Sequence, residues 1–480
     1  MKKTVQSRRS FVRWLTGAGI AGAVLGSRWE TAFATEPNDC TEAASGTPPQ
    51  KYVPLTGSVL PRPAASGLDA ANVTKLRTAY SALRQLTTQH PEDPRGWQQQ
   101  GNKHCWNCGG GLDGVAGEEI HGSWLFLPWH RAFLYFHERI LGSLIGDPTL
   151  RLAYWDWDSR LGRGVPGAWL TPAGATNSLF DGNRSATTGD VLPDYLVGAT
   201  ALNPITGAKE FADFGGTATG PGLLENGPHG AVHIWTGDTS GQSQTADMGL
   251  LDTAAQDPVF FAHHANIDRL WSHWVASAAT HTNPTDTTWL THQFTFWDEQ
   301  KRWVYITPAD LINTTGLGYT YDAPKVPLPP TNLTVDGGGP ATHSLQLTPG
   351  HALLVADDVR QRLMSASAAG SAKRATLRLR DVRVPDGVVG IIRIIANRPA
   401  AAGTKLEGTA NDLGYIAIVP RSSKEAGHHH PGGLSVHLDV TNQLPQLLTA
   451  GQKISLSYVS SNKSAGHGAL NYSQAELVEH

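Results

Sequence analysis

Asp257-Pro258-Val259-Phe260-Phe261-Ala262-His263-His264-Ala265-Asn266-Ile267-Asp268-Arg269-Leu270-Trp271 carries the strongest fold signal in the chain. Its apolar residues recur at the three-to-four-residue steps of an amphipathic helix, expected over 258–275. Phe260, Phe261, Ile267 and Trp271 lie at −4, −3, +3 and +7 from His264, so His264 shares the buried face. His263 is displaced by about 100° around the helix and cannot point the same way. It reads as a residue supporting the site from behind, or as a hydrogen bonder on its exit side. A single imidazole on an aromatic face is either a core histidine bonded to a carbonyl or a metal ligand, and one residue does not decide between them.

Working outward, Glu225-Asn-Gly-Pro-His229-Gly-Ala-Val-His233 places two histidines four residues apart. On a helix turning by about 100° per residue they sit about 40° apart, and both rings can face one point. Two further strings, His104-Cys105-Trp-Asn-Cys108 and His121-Gly-Ser-Trp-Leu-Phe-Leu-Pro-Trp-His130-Arg131, add three histidines. Two sets of three, each in aromatic surroundings, point to bound metal rather than to six satisfied core side chains. A donor set without several thiolates or carboxylates suits copper, zinc, iron or nickel.

The rest of the chain agrees with a loop-rich globular protein. Lys and Arg number 38 against 41 Asp and Glu, a net charge of −3, which excludes nucleic-acid binding through bulk positive charge. Charged residues are 16 %, with 52 Gly and 30 Pro, unlike a coiled coil or a disordered acidic chain. Twenty histidines beside three cysteines again favour imidazole metal chemistry.

Residues 1–34 read as an export signal. Ser7-Arg8-Arg9-Ser10-Phe11 is a twin-arginine pattern, Trp14–Gly26 is an apolar run, and Ala32-Phe33-Ala34 offers a cleavage site. The apolar run is shorter than the ~20 residues that span a bilayer. The expected partner is the twin-arginine (Tat) export machinery, the expected location periplasmic or secreted, and the mature form is expected to have no membrane span. Outside the cytoplasm disulfides persist, and three cysteines leave one thiol without a disulfide partner.

Residues 35–66 read as an irregular arm holding Cys40. Helices are expected over 68–90, 130–145 and 228–236, with a Gly-rich loop region over 158–222. Pro324-Lys-Val-Pro-Leu-Pro-Pro opens a linker. Beyond it the period changes to two: Leu377-Arg-Leu-Arg-Asp-Val-Arg-Val, Ile391-Ile-Arg-Ile-Ile and Leu434-Ser-Val-His-Leu-Asp-Val predict antiparallel strands. Tyr154-Trp-Asp-Trp157 reads as aromatic packing, Asp268 and Arg269 as an ion pair near their helix, and His428-His429-His430 as a solvated loop between strands.

The histidine strings resemble the type 3 copper proteins, most closely the plant-type polyphenol oxidases (catechol oxidases and tyrosinases), here with the signal of a bacterial exported protein. The resemblance extends through Thr288-Trp289-Leu290, Phe294-Thr-Phe-Trp-Asp298-Glu299 and Gly318-Tyr319-Thr320-Tyr321. The family usually has Asp where this chain has Thr288. What it implies is a mainly α catalytic domain over 35–325, with a four-helix-bundle dicopper core and long loops. A linker follows at 326–345, then a C-terminal antiparallel β-sandwich at 346–480 that shields the site until it is cleaved or displaced.

Carried over position by position, one copper ion is held by His104, His121 and His130, and the other by His229, His233 and His264. Cys108 matches the cysteine that forms a thioether with the second histidine, here His121. Cys105 is then left with Cys40, a crosslink worth roughly 3–4 kcal/mol. The plant enzymes usually have a second disulfide, for which this chain lacks the cysteines. Glu225 matches the glutamate that holds a water near copper. Gly230 and Ile234, which follow His229 and His233, and Leu251, thirteen residues before His264, match positions that modulate activity. Gly230 in place of Asn argues for diphenol over monophenol chemistry, and Leu251 in place of Phe for a wider mouth.

The reaction so implied is oxidation of o-diphenols to o-quinones with reduction of O2 to water, with ortho-hydroxylation of monophenols as a further activity. A narrow-substrate monophenol hydroxylase and a dioxygen carrier similar to haemocyanin are the other readings.

Overall fold

A computed structural model of the protein describes residues 40, 45–54, 57–108, 111–112, 115–116, 118–238, 247–323, 341–347, 353–355, 360–361, 374–397, 409–421, 433–448, 453–461 and 466–479. The signal at 1–34, most of the expected linker and the His428–His430 loop lie outside these residues. Pro37–His480 form one compact unit. Among the described residues no helix is long and apolar enough to cross a membrane.

Five helices carry the first part: α1 (Ala70–Gln89), α2 (Trp97–Trp106), α3 (Phe126–Leu144), α4 (Gly230–Gly237) and α5 (Val259–Ser277). Helix α1 starts where the Asp69 carboxylate accepts the Asn72 N–H, and it buries Leu76, Ala79, Tyr80 and Leu83, one stripe of a 3.6-residue period. Helix α3 is buried nearly all round, between α1 and α5. It begins four residues before the expected start, because Pro128 sits in the first turn, where its missing N–H has no intrahelical partner to lose.

Helix α2 has no counterpart in the sequence reading. Its Trp-Gln-Gln-Gln-Gly-Asn-Lys-His is polar and contains Gly101, so neither propensity nor period signals it. Tertiary contacts hold it. The Cys40–Cys105 disulfide, with Cα atoms 5.6 Å apart, ties it to the N-terminal arm. Gln100 Oε1 meets His137 Nδ1 of α3 at 3.2 Å.

The C-terminal part has two four-stranded antiparallel sheets around one core. The strands are β1 (Ala341–Ser344), β2 (Ala375–Val382), β3 (Gly390–Ala396), β4 (Asp412–Ile418), β5 (Leu434–Asp439), β6 (Leu456–Ser460), β7 (His467–Ala469) and β8 (Gln474–Glu479). Their orders are β5-β2-β8-β1 and β4-β3-β6-β7. Leu377 and Leu379 of β2, Ile392 and Ile394 of β3, Leu434, Val436 and Leu438 of β5, and Tyr458 of β6 fill the space between the sheets. The expected linker end at 345 needs correction, because Ala341–Ser344 pairs with β8 as an edge strand. That pairing joins residues more than a hundred positions apart, which local composition does not encode.

Strands β3 and β4 face two cores. Leu413 and Ile416 point into the sheet–sheet core. Ile391, Tyr415, Ala417 and the adjoining Val419 join the core of the helical part. The period of two is therefore present, but both faces are buried. Polar ties reinforce the contact: Arg380 pairs with Asp213, Arg421 with Glu119, and the Leu251 N–H donates to Pro420 O at 2.8 Å.

Asp268 and Arg269 do not pair with each other, contrary to expectation. Adjacent helical residues diverge, so they serve different neighbours. Asp268 accepts from Arg131 Nε, the Tyr319 hydroxyl at 2.7 Å and the Tyr321 hydroxyl. Arg269 donates to Asp158 and to Asn266 Oδ1.

Candidate metal centre

His104 stands on the last turn of α2, His121 in the loop before α3, and His130 on the second turn of α3. The antiparallel bridge between Cys108 and Glu119 folds the loop back and delivers His121 to α2. The ring centroids of this triad are 5.6 Å (His104–His121), 5.7 Å (His104–His130) and 5.2 Å (His121–His130) apart. The second triad has centroids 4.7 Å (His229–His233), 5.0 Å (His229–His264) and 5.5 Å (His233–His264) apart. His229 ends a wide turn, Glu225–His229, that leads into α4. His130 and His264 stack at 4.0 Å, so the triads face one another.

Backbone carbonyls decide which nitrogen points inward. A carbonyl only accepts, so each ring nitrogen beside one carries the proton. Nδ1 of His130 donates to Phe126 O at 2.8 Å, Nδ1 of His229 to Glu225 O at 3.2 Å, and Nδ1 of His233 to Met248 O at 3.0 Å. All three present a bare Nε2 to the interior, and those of His130 and His229 are buried without a hydrogen-bond partner. The Nε2 atoms of His233 and His264 approach to 3.3 Å. A bare lone pair there needs either a proton or a shared cation.

His137 makes the contrast. It is equally buried, but one nitrogen meets Gln100 Oε1 and the other the Tyr80 hydroxyl, so it is a satisfied core histidine. His263 lies with its nitrogens among those of His229, His233 and His264. The Trp157 indole N–H, however, donates to His263 Nδ1 at 3.0 Å, which puts the proton on Nε2. His263 thus offers no lone pair and supports the site from behind. Trp157, expected only to pack, sets that tautomer.

Glu225 borders the centre. Its Oε1 accepts the Gly122 N–H at 2.7 Å, while Oε2 is buried without a partner. Burial pushes its carboxyl well above the ordinary glutamate range, against the Gly122 bond that lowers it. Leu251 lines a cavity with His121, Glu225, Asn226 and His229, and Ala417–Val419 of the C-terminal part close it. Ile234 is buried in the helical core and does not line this cavity. Gly230 lies against β4: a Cβ there would stand 3.0 Å from Ala417 Cβ and 3.1 Å from Ala417 O. Cys108 is a buried thiol whose sulfur is 3.4 Å from both ring nitrogens of His104 and within 4.8 Å of a His121 nitrogen.

Residues 81–191 and 175–277 match the common central domain of tyrosinase, and 283–334 the polyphenol oxidase middle domain. The chain is 32 % identical to the Grenache (Vitis vinifera) polyphenol oxidase of known crystal structure, covering 62 % of this chain and 94 % of that one, with a TM-score of 0.54. The chain belongs to the plant-type polyphenol oxidase family. Polyphenol oxidase A, chloroplastic, of Solanum lycopersicum is 33 % identical over 325 residues, 61 % of this chain and 51 % of the relative. The chain spans about half the length of the curated relatives it matches. A latent aurone synthase (polyphenol oxidase) superposes with a TM-score of 0.68 over 91 % of this chain and 93 % of that one, at 24 % identity, a likeness of fold.

Polyphenol oxidase membership implies a dinuclear copper centre, and the residues fit it: two facing triads of buried imidazoles, with Nε2 of His130, His229 and His233 left bare toward the interior. The sequence reading missed the carbonyl of Met248, the N–H of Gly122 and the indole of Trp157. Gly122 lies inside the His121–His130 string and Trp157 inside Tyr154–Trp157, but the bonds they make to Glu225 and His263 have no local sequence signal.

The buried imidazoles set the acid stability of the copper-free protein. Burial holds His104, His130, His137, His229, His263 and His264 well below the ordinary histidine value, lowers His121, and brings His233 to about 3. Between its folded pKa and about 6.5, each binds a proton only when unfolded, so stability falls as pH drops through that window. Each costs up to about 1.4 kcal/mol per pH unit. The raised carboxyls of Glu225, Asp181 and Asp247 act in the opposite sense, but the histidines outnumber them. Urea unfolding of copper-free protein is expected to show a loss of several kcal/mol between about pH 7 and about pH 5.5. An unchanged midpoint would mean that these imidazoles are charged in the folded state.

Proposed function

We propose that this chain oxidises o-diphenols to o-quinones while O2 is reduced to water, with ortho-hydroxylation of monophenols as a lesser activity. Two facing triads of buried imidazoles beside the unpartnered Oε2 of Glu225 carry this reading. His104, His121 and His130 would hold one copper ion, and His229, His233 and His264 the other, in the bundle of α2, α3, α4 and α5. When bound, the copper pair supplies dioxygen binding and the electrons exchanged with the phenol.

The remaining work falls to the chain. A phenol has a pKa near 10 and must lose its proton on arrival. Glu225, fixed at one oxygen by Gly122, turns its other oxygen toward that proton or toward a water carrying it. Phe126 and Phe260, with centroids 4.6 Å from His229 and 4.2 Å from His264, wall the centre and exclude bulk water. A thioether between Cys108 and His121 would hold His121 in place without using a metal ligand.

Latency belongs to the same proposal. The cavity at the centre is about 30 Å³, room for a water or two. Ligand pockets run to roughly 300–1,000 Å³, so no phenol enters while Ala417–Val419 stay in place. Cutting within 326–340, ahead of the edge strand Ala341–Ser344, and releasing the β region that begins with that strand opens it. Export through the twin-arginine route, in a bacterial host, is supported by Arg8-Arg9 and the short apolar run after them.

Oxygen uptake by copper-loaded protein with 4-methylcatechol and then tyramine, before and after limited proteolysis, tests the reading. Uptake with the diphenol, increased by cleavage, is expected. No uptake with either, despite two bound copper ions per chain, would sink it and favour a dioxygen carrier. Equal uptake with tyramine would favour a monophenol hydroxylase.

Gly230→Asn has two expected effects. It raises the monophenol-to-diphenol rate ratio in cleaved protein. In uncleaved protein it also raises diphenol activity several-fold, because the new side chain presses on Ala417. Measured in both forms, an unchanged uncleaved rate would remove the steric argument.

A further inference from the structure

Asn226 adjoins Glu225 but has no part in the chemistry above. It is buried, 6 % exposed, and its side-chain Nδ2 has no hydrogen-bond partner. A buried amide left so is costly unless something else pairs with it. Its surroundings suggest what. Asn226 lines the cavity at the metal centre, and it also lines a second cavity of about 60 Å³. The second runs away from the two triads, between Tyr195, Ile205 and Leu223 on one side and Leu413–Ile416 of β4 with Ser435–Asp439 of β5 on the other. Strand β4 extends over both: Leu413–Ile416, beside Ser435–Asp439 of β5, cover the far cavity, and Ala417 and Ile418, with Val419 after them, cover the near one. Among the described lining residues, Asn226 is the one the two cavities share.

Resting on the o-diphenol reading, we propose that the two cavities are halves of one substrate groove, exposed together when β4 and β5 lift, and that Asn226 is its specificity-determining residue. The ring lies in the near half, beside His229 and Leu251. An arm on the ring, para to one hydroxyl, runs into the far half over Ile205 and Leu223. The Asn226 amide donates to an acceptor on that arm, a carbonyl or carboxylate. The preferred class is thus o-diphenols bearing an extended arm with an oxygen acceptor, ahead of simple alkyl catechols.

The test compares KM and kcat of copper-loaded full chain, nicked by limited proteolysis, for 4-methylcatechol, 3,4-dihydroxycinnamate and 3,4-dihydroxyphenylethylamine. Asn226→Leu is expected to raise KM for the cinnamate about tenfold more than KM for 4-methylcatechol, the scale of a hydrogen bond to a charged group, with the kcat ratio little moved. Asn226→Asp keeps the shape, so it reads the same discrimination should the leucine variant fold poorly. It is expected to penalise the cinnamate and favour the cationic amine. A KM shift shared equally by all three substrates in both variants would overturn the role of Asn226 and leave the o-diphenol reading standing. Failure of the parent protein to oxidise any of the three would overturn both.

Discussion

Replacing Glu225 by glutamine is expected to lower kcat for an o-diphenol by about 10²–10⁴-fold, the usual worth of a positioned proton acceptor. Both copper ions should stay bound, since the carboxylate is not among the six imidazoles. The glutamine carbonyl can still accept the Gly122 N–H that Oε1 now takes at 2.7 Å, so the wide turn before α4 keeps its anchor. What is lost is a group that can take a proton at the position of Oε2. The direct comparison is stopped-flow quinone formation with copper stoichiometry measured on the same samples. A fall of less than threefold at full copper occupancy would show that another base, or bulk water, does this work. A large fall accompanied by copper loss would instead make Glu225 a structural support of the second triad.

The second large effect concerns stability. Asp268, 3 % exposed, is the shared acceptor for two buried arginines and two tyrosines. Arg131 lies over Trp271 at 3.6 Å, and Arg62 over Tyr319 at 3.7 Å. Arg62 also donates to Glu138 at 2.9 Å. The cluster joins the arm before α1, helices α3 and α5, and the strand Tyr319–Tyr321. Asp268→Ala leaves Arg131 buried without its carboxylate, an uncompensated charge costing about 3–5 kcal/mol. Thermal unfolding is expected to shift down by roughly 3–5 °C. Because the penalty is the orphaned charge, adding Arg131→Met to Asp268→Leu should recover more than ~1 kcal/mol relative to the sum of the single changes. Additive losses would mean that packing around Trp271 and Tyr319, rather than charge, holds this cluster.

The legible and the illegible parts of this protein divide along a physical line. Spacing within one helix is local. His229 and His233 at four residues, and His264 amid Phe260, Phe261, Ile267 and Trp271, are therefore readable as inward-facing without any knowledge of the fold. The six histidines do meet, in two triads whose stacked rings His130 and His264 are 4.0 Å apart. The alternation in β2, β3 and β5 is equally local, and those strands form.

Contacts across long separations are not legible. Helix α2 is polar and contains a glycine, and it exists because Cys40 and α3 hold it. The edge strand Ala341–Ser344 exists because β8 lies beside it. Asp268 and Arg269 are neighbours in sequence and point to different partners in space. The cover over the metal centre belongs here too. Nothing in Tyr415-Ile-Ala417-Ile-Val419 distinguishes a strand with one face in water from one whose outer face seals a site. That choice rests on Gly230, whose missing side chain lets Ala417 approach, and on Asn226, whose unpaired amide lies beneath the roof. Residue type and spacing determine which side chains share a face, whereas docking of one core on another decides whether that face meets water, metal or a second domain.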